Sequence, residues 1–287
     1  MIDKSKTPVL ISMPRSGSHY VGNYIREHYK TNGMLFPSIW SSEVFSNHDG
    51  EFPFSHLGIN QLIRYFEDTR NTFNLDIFSI FHAPHLMDTI DLPSRQKHDK
   101  LFDWFKEFYD GYKIFLLRRK NIWKAYMSFL FHTTVATAYR KNKTGDTYKG
   151  QASTEAPWHN IEGKHSQETL KSTIQLVNPK FVHNEQLFYK FCSHVNYFEE
   201  EIITYYLKGN YDKSLIMNHW LEDLNDEILT DWFVAKHRQN NFVMEENYKP
   251  FTIKYETYYK KFDLQVIRDK FMKVYDNEFK HYGYVVD

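Results

Sequence analysis

"PVLISMPRSGSHYVGNYIREHYK", residues 8–30, joins an apolar run to a short polar loop and then to a helical pattern. Pro8–Met13 is almost wholly apolar and stops at Pro14, so it reads as a buried strand. Val21, Tyr24, Ile25 and His28 recur at helical spacing, which predicts a helix from about Gly17 to Lys30. Strand, tight loop and helix N-terminus, in that order, form a backbone seat for phosphate. Gly17 between two serines lets N–H groups turn onto an anion. Arg15 adds a planar donor fork suited to phosphate or sulfate oxygens. The Walker pattern GxxxxGK[ST] is absent, and with it the Lys-Ser/Thr pair beside which magnesium sits. Taken alone, the loop reads equally well as a tight turn with an exposed arginine.

Outward from this loop, strands and helices alternate. A helix is expected from about Leu57 to Arg70, then a strand, "LDIFSIF", at Leu75–Phe81. Ser94 precedes a helix near Arg95–Tyr109, with Leu101, Trp104, Phe105 and Phe108 on one face, and Gly111 ends it. "YKIFLL", Tyr112–Leu117, is a further strong strand, followed by a helix at roughly Asn121–Ala138. Helical character returns over Glu185–Leu207. "FTIKYE", Phe251–Glu256, reads as a late strand and "DLQVIRDKFMKVYDNEF" as a closing amphipathic helix. This alternation predicts an α/β fold, a mainly parallel central sheet flanked by helices, with right-handed crossovers. We expect one domain over residues 1–287, interrupted by irregular segments at 31–56 and 140–182. Loops of that length in a compact domain are usually functional or disordered.

Composition narrows the partners. Lys plus Arg, 36, equals Asp plus Glu, 36, so no global field points to nucleic acid and any basic site must be local. The single cysteine, Cys192, rules out a disulfide within this chain and any cysteine-based zinc site. The stretch MIDKSKTPVL lacks a signal-peptide pattern, and no apolar run approaches a membrane span. The expectation is a soluble, cytoplasmic protein.

A second constellation gives the loop a context. "YKIFLLRRKNIWKAYMSF" places a strand, then Arg118 and Arg119, then Ser128 inside the next helix. Strand–PRSGS–helix resembles the 5′-phosphosulfate loop of sulfotransferases that use 3′-phosphoadenosine 5′-phosphosulfate (PAPS). Strand–RKN–x(6)–S is similar to their 3′-phosphate motif. "FTIKYETYYK" resembles their late strand ending in Tyr-Glu, matched by Tyr255 and Glu256 but not by Thr257 and Tyr258. The motifs fall in the family's order and span most of the chain. A nucleotide phosphorylated on both sides of its ribose needs two cationic cradles, and the second selects it over ATP.

The resemblance implies a P-loop nucleotide-binding fold of the sulfotransferase type and PAPS as co-substrate. By it, Arg15, Ser16, Gly17 and Ser18 would hold the phosphosulfate. Arg15 occupies the place of the residue that stabilises the bridging oxygen as its bond to sulfur breaks. Arg119 and Ser128 would hold the 3′-phosphate, with Arg118 the competitor for the arginine role. Trp123 reads as core before it reads as an adenine partner. One departure is plain: the family's C-terminal R-K-G-x-x-G-D-W-K is missing. "YRKNKTGDTYKG", residues 139–150, has a similar composition elsewhere in the chain.

Sulfuryl transfer to a hydroxyl or amine requires a base. "IFHAPH" resembles the family's K-T-H-x-P stretch and places His82 at its catalytic histidine; Glu43 sits where other members carry a catalytic glutamate. His82 and His85 lack a third ligand at fixed spacing, so no metal is expected. The expected reaction is in-line transfer from PAPS to a small-molecule, saccharide or peptide acceptor, bound by segments 31–56 and 140–182. Two other readings stay open: another P-loop enzyme, such as a nucleoside or sugar kinase, or a non-catalytic nucleotide-binding protein.

Overall fold

The structure is a computed structural model, and it describes residues 4, 8–18, 21, 64, 68, 79–82, 99–130, 185–225, 227–229 and 265–286. These residues group into two compact units. The first is drawn from 1–120 and 194–248, the second from 121–193 and 249–287.

The first unit holds a four-stranded sheet. Strand β1, Pro8–Ser12, pairs with β2, Ser79–His82, on one side and with β3, Lys113–Arg118, on the other. β3 in turn pairs with β4, Ile216–Trp220. Every pairing is parallel and the order is β2-β1-β3-β4. The α/β class and parallel sheet expected from the alternation are what the structure shows.

The reason lies in the two inner strands. Val9, Leu10 and Ile11 are fully buried, as are Ile114, Phe115, Leu116 and Leu117. Continuous apolar runs of this kind suit strands covered on both faces. Each buried aliphatic or aromatic side chain contributes roughly 1.5–3 kcal/mol, so Leu116→Ala, which adds a cavity, is expected to cost about 2–5 kcal/mol.

Helix α1, Asp99–Phe108, lies between β2 and β3 in the chain and buries Phe102, Trp104 and Phe105. Gly111, at φ +79°, ends it by taking the left-handed conformation that an L side chain resists. Tyr211 ties down this turn, its hydroxyl donating to the carbonyl oxygens of Tyr112 at 2.6 Å and Tyr109 at 3.2 Å. Helix α2, Glu185–Tyr197, continues as an 11-residue π-helix, Phe198–Lys208. The helical span expected there is present, but its second half has the wider winding. β4 was not among the expected strands.

In the second unit a helical run over 122–130 starts at Asn121, whose side-chain oxygen accepts from the Lys124 N–H at 2.8 Å. Tyr126 packs against Phe271, Phe188 and Phe191 at ring separations of 5.2–5.4 Å. Phe271 belongs to helix α3, Gln265–Val274, where the closing amphipathic helix is expected. Trp123, 8% exposed and edge-on to Phe271, belongs to this core.

The helix expected over 57–70 is described at Arg64 and Asp68, both helical; that over Gly17–Lys30 at Gly17, Ser18 and Val21, of which Ser18 and Val21 are helical. Segment 31–56 with Glu43, segment 140–182, His85 and the strand expected at 251–256 lie outside the described residues.

Candidate functional site

Parallel strands bring their C-terminal ends to one edge. Ser12 is in register with His82 on one side and Leu117 on the other, and Leu117 with His219. The chain leaves β1 toward β2 and leaves β3 toward β4, in opposite directions along the sheet. In open α/β sheets ligands bind outside the C-terminal ends of the strands at such a switch point, which lies between β1 and β3 here. The two loops singled out in the sequence, Pro14–Ser18 and Arg118–Lys120, are the ones that leave these strands.

The first loop is tightly wound. Met13 extends the ladder past β1, its N–H donating to the Leu117 carbonyl at 3.1 Å. The Ser16 N–H and hydroxyl both return to the Met13 carbonyl, at 3.3 and 2.6 Å. Ser16 and Ser18 are buried. Arg15 has φ +62° and Gly17 φ +86°. Glycine accepts that conformation without penalty, whereas a residue with a Cβ gives up roughly 1–2 kcal/mol there. A left-handed arginine is therefore a strained choice for a plain turn. Strain of this kind concentrates where a ligand is gripped. The Gly17 carbonyl accepts from the Val21 N–H at 3.2 Å, so a helix N-terminus follows directly.

The second loop separates its two arginines. Arg118 Nη1 lies 3.4–3.5 Å from both carboxylate oxygens of Glu199, on the π-helix, and its guanidinium sits 4.0 Å from the centre of the Trp220 ring. These side chains are only 11% and 3% exposed, so Arg118 serves as counter-charge to a buried carboxylate. Arg119 Nε stands 3.9 Å from Glu222 Oε1, in a more open pair at 22% and 37% exposure. The Glu222 carboxylate also accepts the Lys120 N–H at 2.7 Å.

The turn after β4 reaches the same edge. Leu221 packs on Gly17 so closely that a Cβ there would meet Leu221 Cδ1 at 2.6 Å. His219 lies near Phe115, ring centres 6.5 Å apart. Partial burial lowers its pKa, opposed by the Asp223 carboxylate, so the ring is neutral at pH 7. Sequence reasoning missed Glu199, His219, Leu221 and Glu222. Their signal is partnership with residues some 80–200 positions away, which no local pattern carries.

Of the expected site residues, the structure brings Arg15, Ser16, Gly17, Ser18, Arg118, Arg119 and the backbone of His82 to one sheet edge. Ser128 is buried in the second unit, and its pairing with Arg119 rests on the sequence motif. Among the described residues there is no cluster of three or more metal-ligating side chains and no helix long and apolar enough to cross a membrane. Comparison with protein-family models, curated protein sequences and solved structures finds no match.

Proposed function

We propose that the chain is a PAPS-dependent sulfotransferase, transferring a sulfuryl group to a hydroxyl or amine of its acceptor. The observation that carries this reading is the strained PRSGS loop and the arginine pair leaving adjacent inner strands at the switch point. In it, Arg15 and the N–H groups of the first loop receive the 5′-phosphosulfate. Arg119 takes the 3′-phosphate, because Arg118 is already the counter-ion of Glu199. His82, in register with Ser12 at the same edge, is the proposed base, with Glu43 its alternative.

Chemically the roles are distinct. The acceptor oxygen or nitrogen attacks sulfur as the bond to the phosphate oxygen breaks, and its proton passes to the base. Charge builds on the departing bridging oxygen, toward which Arg15 is directed in this reading.

Thermal unfolding with adenosine 3′,5′-bisphosphate tests the cofactor. At about a hundred times its dissociation constant the nucleotide should add roughly 2.7 kcal/mol, and AMP or ATP at the same concentration much less. Arg119→Ala should erase most of this discrimination. Equal shifts with AMP and the bisphosphate refute the reading. Labelled PAPS with a panel of saccharides, phenols, steroids, lipids and tyrosine peptides then identifies the acceptor.

A further inference from the structure

The loop after β3 already holds an anion. One carboxylate, that of Glu222, accepts the Lys120 N–H at 2.7 Å and stands 3.9 Å from Arg119 Nε. A backbone N–H beside a guanidinium, at the C-terminal end of an inner strand, is the donor set that a phosphate or sulfate oxygen seeks. Glu222 comes from the 3₁₀ turn Leu221–Asp223, 102 residues further along the chain, and not from the loop itself. Its neighbour Leu221 packs on Gly17 of the first loop. The same short turn thus touches both loops of the candidate site.

The geometry points to Glu222 as a placeholder anion that occupies the phosphate seat of the β3 loop in the empty protein and is expelled when the ligand enters. On the sulfotransferase reading, upon which this inference rests, the displaced contact is the one made by the 3′-phosphate. A phosphate monoester carries more charge than one carboxylate and offers three acceptor oxygens, so it can take over both donors. The two anions cannot occupy the same two donors at once, and like charges a few ångströms apart repel. Glu222 therefore weakens ligand binding while it keeps Arg119 oriented and its charge matched.

Glu222→Gln is the test, because the amide oxygen can still accept from Lys120 while the competing charge is gone. In the full chain, calorimetric titration with adenosine 3′,5′-bisphosphate should show affinity tightened about threefold to tenfold. Asp223→Asn, one residue away, should change it by less than about twofold, which separates a local placeholder from a general field effect. In an Arg119→Ala background, Glu222→Gln should lose most of its benefit, because the two act on one seat. Glu222→Asp, too short to keep both contacts, should give part of the gain and guards against a folding defect in the amide. Unchanged or weaker bisphosphate binding by Glu222→Gln, in a parent that still prefers bisphosphate to AMP, overturns the placeholder and leaves the sulfotransferase reading standing. Tighter binding of inorganic phosphate and of both nucleotides, without preference for the bisphosphate, keeps the placeholder and removes the sulfotransferase reading. No binding of any of these probes by parent or variant removes both.

Discussion

Two buried regions of this chain, the ring cluster of the second unit and the C-terminal edge of the sheet in the first, are built on opposite principles. Around Tyr126 the second unit packs Trp123, Phe188, Phe191 and Phe271, with the free Cys192 buried in the same unit. Burial raises the Tyr126 phenol well above its usual range, and pushes the Cys192 thiol up to about 12. Both stay protonated, and nothing charged is asked of them. At the sheet edge the structure buries a glutamate against an arginine, holds a second arginine in left-handed backbone and places both at the ends of the two inner strands of the sheet. Ring packing stabilises whatever its purpose. Buried ions and strained backbone are weak stabilisers, and their concentration at one edge is what leads us to propose that edge as the binding site.

The largest expected effect breaks the comparison at its buried ion pair. Arg118→Ala leaves Glu199 charged and buried and should cost about 3–5 kcal/mol. Phe271→Ala should cost a similar amount through the cavity it opens. Repair distinguishes them. The double replacement Arg118→Met with Glu199→Leu should return stability to within about 1 kcal/mol of the parent or exceed it, because an apolar pair avoids both desolvation costs. Denaturant unfolding of the three variants provides the measurement. A double variant as unstable as Arg118→Ala would show that the sheet edge depends on its charges as deeply as the second unit depends on its rings.

Next in size is the strained arginine. On the proposed sulfotransferase reading, Arg15→Ala should lower turnover by about 10²–10³ with much less change in nucleotide affinity, as removal of one donor to a developing anion does. Arg15→Gly should lose activity similarly yet gain roughly 0.5–1 kcal/mol of stability, the relieved left-handed strain less the added freedom of the unfolded chain. Opposite signs in stability and rate would set this residue apart from every aromatic of the ring cluster. A destabilised Arg15→Gly protein would mean that the guanidinium, not the ligand, holds the loop in shape.

The inner strands were legible because their information is local. Pro8–Ser12 and Lys113–Arg118 are short apolar runs bounded by a turn former or a basic pair, and the structure keeps both within a residue of their expected limits. The strand expected at Leu75–Phe81 is described over Ser79–His82 and ends one residue later than expected. β4, "IMNHW", was hidden: its residues are all half-buried, and Asn218 and His219 interrupt its apolar character. The π-helix could not be read either, since an apolar spacing of four or five accommodates both windings over a few turns. At the site, sequence spacing weighed Arg118 against Arg119, but only the fold supplies a partner 81 residues away that takes Arg118 as its counter-ion. Local pattern finds the loops; the roles of side chains within them depend on partners that the pattern does not contain.

The smallest effect concerns His219, in β4, whose pKa is lowered. Partial burial disfavours its charged form, and the Asp223 carboxylate only partly offsets this. The unfolded chain, with an imidazole near ~6.5, then binds a proton more readily than the folded protein does. Above that pH both states are neutral at this position and His219 contributes nothing to the pH dependence. As pH falls below ~6.5 the unfolded state gains protons first, so stability declines until the folded-state pKa is passed and then levels off. His219→Gln should remove this component, flattening the difference between unfolding free energies at pH 7.5 and pH 5.5 relative to the parent. Cys192→Ala, in the ring cluster, should leave the slope between those pH values as it was, because a thiol held near 12 does not titrate there. A His219→Gln protein that follows the parent in this window would show that the imidazole is solvated in the folded state, despite its packing near Phe115.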